Sequence, residues 1–240
     1  MKIGLLGYGK MGKAIESLSL EQGFTVVWKI GASERAALTD SLMRQADVVI
    51  EFSRPEAAFE NVMACINAGV PVVSGTTGWT DALPAAQKAC LEQQSAFIWA
   101  SNFSVGVNLF FALNRYLARL MNARPEYQPA VEEWHHIHKL DAPSGTGLTL
   151  TKDIIGLLDR KDGWVLRPTV AGQTEIPITA YREGEIPGTH QINWESAIDS
   201  ITIEHKAHSR TGFALGAVLA ARWLQDKKGV FTMADVLGIE

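Results

Sequence analysis

The first 23 residues restrict the fold more than any other part of the chain. Lys2-Ile-Gly-Leu-Leu6 reads as a short apolar strand, Gly7-Tyr8-Gly9-Lys10-Met11-Gly12 follows at once, and Lys13 to Gly23 carries a helical pattern. This is G-x-G-x-x-G in the strand–turn–helix setting that a dinucleotide cradle requires. Gly7 permits the tight turn, Gly9 lets the backbone approach a pyrophosphate, and Gly12 lets the helix sit close on the strand. A glycine-rich turn can exist with no ligand, but the strand before it and the helix after it favour the nucleotide.

The same rhythm continues to about residue 103. Phe24 to Ile30, Asp47 to Ser53, Val70 to Ser74 and Ser95 to Ala100 read as strands. Helices are expected between them, one starting at Arg54-Pro55 and stopping near Gly69, another over roughly 80 to 94. Alternating strands and helices predict a parallel, doubly wound sheet of the Rossmann type, with ligands at the carboxyl ends of the strands. Gly75-Thr76-Thr77-Gly78 and Ala100-Ser101-Asn102-Phe103 then share an edge with the glycine turn. A residue near the end of the second strand sorts the cofactor. Lys29, with Arg35 behind it, favours the 2′-phosphate of NADPH, Glu34 leaves NADH open, and Lys29 can equally be a solvated strand end.

Composition removes several classes of function. Apolar residues make up 47% and charged residues 20%, enough for a full core. The net charge is −4 with no basic run, so neither nucleic acid nor a membrane surface is an expected partner. Cys65 and Cys90 fall in helical stretches and read as buried thiols. The chain opens directly into a strand, with no signal peptide and no run long enough to span a bilayer. The expectation is a cytoplasmic protein.

After Phe103 the rhythm changes. Val105 to Asn122 reads as a long helix, Tyr127 to His136 as a strand, and Thr174–Glu183, Gly188–Ser196 and Ser200–His208 as strands joined by turns. Such a succession predicts an inserted α+β domain with a mixed or antiparallel sheet. We expect a dinucleotide-binding domain over 1–103 and 209–240, and a substrate-binding and oligomerisation domain over 104–208. Residues from Ser209 read as a largely buried helix, and Met233 to Leu237 as a short last one.

The densest chemistry lies in that insert, at Glu132-Glu-Trp-His-His-Ile-His-Lys-Leu-Asp-Ala-Pro-Ser-Gly-Thr-Gly147. Ser144 is a good N-cap, and the N–H groups of the residues opening the next helix form an anion site with the helix dipole. Histidine titrates near neutrality and lysine is cationic, so His135, His136, His138 and Lys139 suit an acidic substrate that must receive a proton. The histidines could instead be a metal site or ordinary strand residues. Lys139 and the lack of further ligands nearby in sequence argue against a metal, and none is expected.

This stretch resembles the signature of the dihydrodipicolinate (4-hydroxy-tetrahydrodipicolinate) reductase family, E-x-H-H-x-x-K-x-D-A-P-S-G-T-A. The glycine fingerprint, Gly75 to Gly78, Asn102 to Asn108 and the closing Ser209-Arg-Thr-Gly-Phe-Ala extend the resemblance over nearly the whole chain. It departs in Gly147, where the family usually has Ala, in the absence of an acid at the end of the second strand, and in a compact segment between Ile30 and Asp47. The resemblance implies an NADPH- or NADH-dependent reduction of a small cyclic dicarboxylate, with loss of water, in diaminopimelate and lysine biosynthesis. It implies His135 as proton donor/acceptor, Lys139 as proton donor, and His136, Ser144, Gly145 and Thr146 as substrate contacts. Gly7, Tyr8, Gly9, Lys10, Met11, Gly12, Gly75, Thr76, Thr77, Ala100, Ser101, Asn102 and Phe103 are implied as cofactor contacts. A homo-oligomer, a tetramer by resemblance, and a hinge closure are expected. The competing readings are another two-domain NAD(P)-dependent oxidoreductase, against which the histidine–lysine–SGT stretch speaks, and a non-catalytic nucleotide sensor, which has no need of His135 and Lys139 together.

Overall fold

The structure, a computed structural model, describes residues 1–209 and 211–239. Arg210 of the closing Ser209-Arg-Thr-Gly-Phe-Ala motif and Glu240 lie outside the described residues. The chain divides into two compact units, Met1–Val105 with Thr211–Glu240, and Gly106–Arg210.

The first unit starts β1 (Lys2–Leu6), α1 (Lys10–Glu21), β2 (Thr25–Ile30), a 3-10 helix (Ala32–Ala37) and α2 (Asp40–Met43). It continues β3 (Val48–Glu51), α3 (Pro55–Asn67), β4 (Val72–Ser74), α4 (Leu83–Glu92) and β5 (Ala96–Trp99). The expected helix over 80–94 thus begins as a separate 3-10 turn at Thr80–Ala82. The segment between Ile30 and Asp47, compact as the sequence suggested, is filled by the 3-10 helix and the single turn of α2.

The second unit holds α5 (Val105–Asn122, from its second residue), β6 (Gln128–His135), α6 (Gly145–Ile155), β7 (Gly163–Leu166), β8 (Glu175–Arg182), β9 (Thr189–Glu195) and β10 (Ser200–Lys206). The chain then returns to the first unit with α7 (Thr211–Leu224), β11 (Gly229–Phe231) and α8 (Met233–Leu237). The short strands β7 and β11 were not legible in the sequence.

In the first unit the strand order is β11-β5-β4-β3-β1-β2, with every neighbour parallel. Successive strand residues face opposite sides, which is why the runs are apolar throughout. Leu5, Val48, Val73 and Ile98 pack with Ile15 of α1 and the small residues Ala214, Ala217 and Ala221 of α7. Leu6, Val49, Val72 and Phe97 pack with Val62 and Ile66 of α3 and Cys90 of α4. Small residues let α7 approach closely: a Cβ on Gly216 would stand 1.7 Å from the Phe103 carbonyl oxygen. Helices α1 and α3 lie on opposite faces, so the sheet has its switch point between β1 and β3, where ligands collect in such folds.

The second unit's sheet is mixed, ordered β10-β9-β6-β8-β7, with β6–β8 and β8–β7 parallel and the rest antiparallel. Val131, Ile178, Ile192 and Trp194 meet Phe110 and Ala118 of α5 and Leu150 and Ile154 of α6 in its core. The burial of β6 alternates, so Val131, Glu133 and His135 all face inward. That period-2 pattern brings two polar residues to the sheet face that carries the helices.

Candidate functional site

In the first unit, a cavity of about 460 Å³ lies at the switch point, within the size range of small-molecule sites. Gly7, Tyr8 and Gly9 line it from the turn after β1, Gly31 and Arg35 from the segment after β2, and Ser53 and Arg54 from the turn after β3. The three fingerprint glycines each have a physical reason. Gly7 has φ +89°, and a Cβ there would stand 2.0 Å from the Phe52 carbonyl oxygen. A Cβ on Gly12 would stand 2.3 Å from the Gly7 oxygen, so a side chain would push α1 off the turn. A Cβ on Gly9 would meet nothing within 4 Å, leaving open backbone at the start of α1. An open glycine backbone at a helix start fits a phosphate.

Other residues expected to contact the cofactor are held around this turn. Lys10 and Met11 form the first turn of α1, with Met11 packed on the core. Gly75 lies against the Phe52 ring, and Phe103 is buried with its ring 5.8 Å from that of Phe52. The Asn102 side-chain oxygen accepts from the Ser104 N–H at 2.9 Å, shaping the turn that follows Ala100 and Ser101.

Glu51, the last residue of β3, is fully buried. It accepts from Ser74 Oγ at 2.6 Å, Thr76 Oγ1 at 2.9 Å, the Ser53 N–H at 3.0 Å and Ser53 Oγ. The Thr76 carbonyl accepts from the indole N–H groups of Trp79 at 2.7 Å and Trp99 at 2.8 Å. The turn that continues to Thr77 is therefore fixed from both sides. Nothing in the sequence marked Glu51 except an acid within an apolar strand.

Lys29 and Arg35 diverge. The Lys29 ammonium lies 2.9 Å from Glu16 Oε1 and 3.1 Å from Tyr8 Oη, and is not part of the cavity wall. Its bond to Glu16, then that to Tyr8, raises its pKa; bonds from Tyr8 and Lys29 hold the Glu16 carboxyl low. Arg35 does line the cavity, with its guanidinium held by Asn61 and Glu60. Of these two cations, the cavity is lined by the later one.

In the second unit the inward side of β6 and the start of α6 meet. Ser144 caps α6, its Oγ accepting from the Gly147 N–H at 3.0 Å. The N–H groups that open a helix have no carbonyl partner within it, and the first of them here belongs to Gly145. A Cβ on Gly145 would meet nothing within 4 Å, so space is open beside it. Beneath the cap lies Glu133, fully buried. Its carboxylate accepts the Ser144 N–H at 3.0 Å and the Ser144 hydroxyl, and lies 3.3 Å from Arg182 Nη2. A Cβ on Gly147 would stand 2.5 Å from Glu133 Oε2, so glycine makes room for that carboxylate.

Arg182 at the end of β8 also donates to the carbonyls of Lys139 at 3.2 Å and Asp141 at 2.6 Å, stapling the loop that carries Lys139. The Lys139 ammonium lies 2.8 and 2.9 Å from the Asp141 oxygens, which holds the Asp141 carboxyl below its usual range. His135 is 7% exposed. Burial first, then the cations Lys139 and Arg182, push its pKa down to about 4, so it is neutral at pH 7.

The neighbouring histidines do not act as a set. His138 is exposed and reaches Glu185 at 3.1 Å, while the His136 ring lies 5.9 Å from that of His138. His135 instead meets His190 of β9, rings 5.0 Å apart and edge to face. Glu133, His135 and His190 stand at spacing a metal ion could use. The sequence does not show this set because His190 lies far along the chain. Both Glu133 oxygens are already engaged by Ser144, and Arg182 adds a positive charge beside them. Glu133, Arg182 and His190 were all missed in the sequence; the alternation along β6 was a signal for Glu133 alone.

Comparison with known proteins matches this arrangement over both units. The model of the dihydrodipicolinate reductase N-terminus matches residues 1–103, and that of the C-terminus residues 106–237. A 4-hydroxy-tetrahydrodipicolinate reductase of Christiangramia forsetii is 50% identical over 238 residues, 99% of this chain and 98% of its own length. The reductase of the same name from Neisseria gonorrhoeae is 37% identical, over 93% of this chain and 84% of its own. Among solved structures, a dipicolinate-bound dihydrodipicolinate reductase from Paenisporosarcina shares the fold with TM-score 0.78 at 23% identity, covering 98% of both chains.

Proposed function

The chain belongs to the dihydrodipicolinate reductase family, and from that premise we propose how its residues divide the work. It is an NADH- or NADPH-dependent enzyme that reduces 4-hydroxy-tetrahydrodipicolinate to tetrahydrodipicolinate in lysine and diaminopimelate biosynthesis. The balance is one hydride and one proton in, and one water out.

The cofactor, when bound, supplies the hydride. The turn from Gly7 to Gly12 takes its pyrophosphate, and Gly75 to Thr77 with Ala100 to Phe103 take its nicotinamide end. Arg35, on the cavity wall, takes a 2′-phosphate, which makes NADPH the preferred donor. Lys29 keeps a lesser part, because Glu16 and Tyr8 already occupy its ammonium.

The substrate is a small diacid. One carboxylate takes the N–H groups at the start of α6, at Gly145 and Thr146, with Ser144 shaping the turn and His136 beside it. Lys139 exchanges Asp141 for the substrate and gives the net proton, which leaves with the 4-hydroxyl as water. His135 starts neutral and becomes able to accept a proton as the diacid brings negative charge next to it, which offsets the cationic influence of Lys139 and Arg182. The proton it takes is the ring C–H proton lost with that hydroxyl, and it returns the same proton to the ring as the hydride arrives. The observation that carries this reading is the packing of the capped α6 start against buried Glu133, beside His135 and the Arg182-stapled Lys139 loop.

We further place the enzyme in the cytoplasm as a homo-oligomer, a tetramer. Free, buried Cys65 and Cys90 support a reducing compartment. Among the described residues no helix is long and apolar enough to cross a membrane. Exposed Leu109, Leu113 and Leu120 on one side of α5 support association. Light scattering after gel filtration tests the oligomer. The reaction is tested by mixing the protein with aspartate semialdehyde, pyruvate, the synthase that joins them, and NADPH or NADH. Loss of nicotinamide absorbance is expected; no oxidation of either cofactor would end the reading.

A further inference from the structure

His190 is buried, belongs to none of the motifs read from the sequence, and has no part in the proton path described above. Its Nε2 lies 3.2 Å from Ser144 Oγ. The protons around that oxygen can be counted. Ser144 has one hydroxyl hydrogen and two lone pairs. The hydrogen goes to Glu133 Oε2, which as a carboxylate only accepts. One lone pair takes the Gly147 N–H. The second can then take only a donor, so His190 is the tautomer that carries its hydrogen on Nε2. Burial first, and then His135, push its pKa down to about 3, consistent with a permanently neutral ring. The same ring stands edge-on against His135.

We propose that His190 is a positioning residue for the reduction: its Nε2–H fixes Ser144 Oγ, and with it the α6 start that grips the substrate carboxylate, while its ring holds the His135 imidazole in place. Ser144 is held at three points, by Glu133, Gly147 and His190. With the third gone, its Oγ has an unused lone pair in a buried site and the cap can shift. A shift of the cap moves the Gly145 N–H, which is where a carboxylate would feel it. The effect belongs in diacid affinity, and cofactor affinity stays unchanged. The inference rests on the reading of the α6 start as the carboxylate site.

The test compares three variants in the full-length protein. His190→Leu removes the donor, His190→Gln places an amide N–H near the Nε2 position, and His190→Asn carries an amide too short to reach it. The probes are the KM of the substrate and the binding of pyridine-2,6-dicarboxylate in the presence of NADPH. Losing a buried hydrogen bond predicts about a tenfold loss for Leu and Asn, and recovery to within threefold of wild type for Gln. The Kd of NADPH is expected to stay within twofold for all three. Asn binding the diacid as well as Gln does would overturn the proposal, as would Gln as weak as Asn with both folded by thermal melting. The Gln–Asn pair decides the matter even if His190→Leu does not fold. Gly145→Pro is run beside them. If it too leaves diacid binding intact, the carboxylate site itself is wrong. If it weakens binding while all His190 variants do not, only the role of His190 fails.

Discussion

Gly145→Pro deletes one backbone N–H from the proposed carboxylate site and leaves the rest of the helix start in place. Gly145 is the first residue of α6, where proline is favoured because that N–H has no partner inside the helix. Ser144 has φ −67° and ψ 158°, the extended conformation a residue before proline adopts. A Cβ at Gly145 meets nothing within 4 Å, and the first helical hydrogen bond, Leu148 N–H to the Ser144 carbonyl, is untouched. Stability is therefore expected to hold, or to rise by about 0.4–1 kcal/mol from the stiffer unfolded chain. Hydrogen bonds to a charged group contribute about 1.5–3 kcal/mol, which corresponds to roughly 10- to 150-fold in affinity. The KM for the substrate, measured in the coupled assay, should rise by that factor, with NADPH affinity unchanged. A variant with a wild-type melting temperature and a KM within threefold of wild type would refute the assignment of the carboxylate to this helix start.

The other expectations are more direct. His135→Ala should lower kcat by about 10²- to 10⁴-fold, the usual worth of a positioned acid or base; a loss under threefold removes His135 from the proton path. Arg35→Ala should weaken NADPH by about tenfold or more and NADH little, whereas Lys29→Ala should separate the two by less than about threefold. Fluorescence titration with each cofactor checks both, and the reverse pattern would return the 2′-phosphate to Lys29. Stability should also depend on acid pH through His135 and His190. Their folded pKa values, about 4 and about 3, lie below the unfolded value near 6.5. The unfolded chain takes up protons first, so this stability is fully present above about pH 6.5 and is lost as pH falls from there toward 4, by up to about 1.4 kcal/mol per pH unit for each ring. A urea midpoint that does not move between pH 7 and pH 4.5 would contradict the neutral, buried imidazoles.

What the sequence shows well is what neighbouring residues decide among themselves. The turn from Gly7 to Gly12 is legible because its strand and helix stand on either side of it, and the steric need for Gly12 arises within that turn, at the Gly7 oxygen; that for Gly7 adds a contact with Phe52 after β3 that the sequence does not show. The cap at Ser144 is legible for the same reason: its partner, Gly147, is three residues away. Even the inward turn of Glu133 follows from the alternation that also buries Val131 and His135. Periodicity and local capping suffice for these, because the interacting groups are fixed in register by the element itself.

The partners of a buried polar group are a different matter. Glu51 is satisfied by Ser74 and Thr76 from the next strand and turn, and Ser144 by His190 from a strand 46 residues on. Neither pairing can be read before the strand order is known. Lys29 shows what charge alone leaves out. At the end of β2 its position suits a 2′-phosphate, but α1 brings Glu16, and the turn brings Tyr8, to the same ammonium. A phosphate must compete there with a carboxylate at 2.9 Å, and the gain from a new ion pair is reduced by the one given up. Arg35 faces the cavity with a planar, multidentate guanidinium, so it can keep Asn61 and Glu60 and still present donors to a ligand. Which of two nearby cations is free to meet a cofactor thus depends on the number of donors left over after the fold has taken its share, and that count exists only in three dimensions.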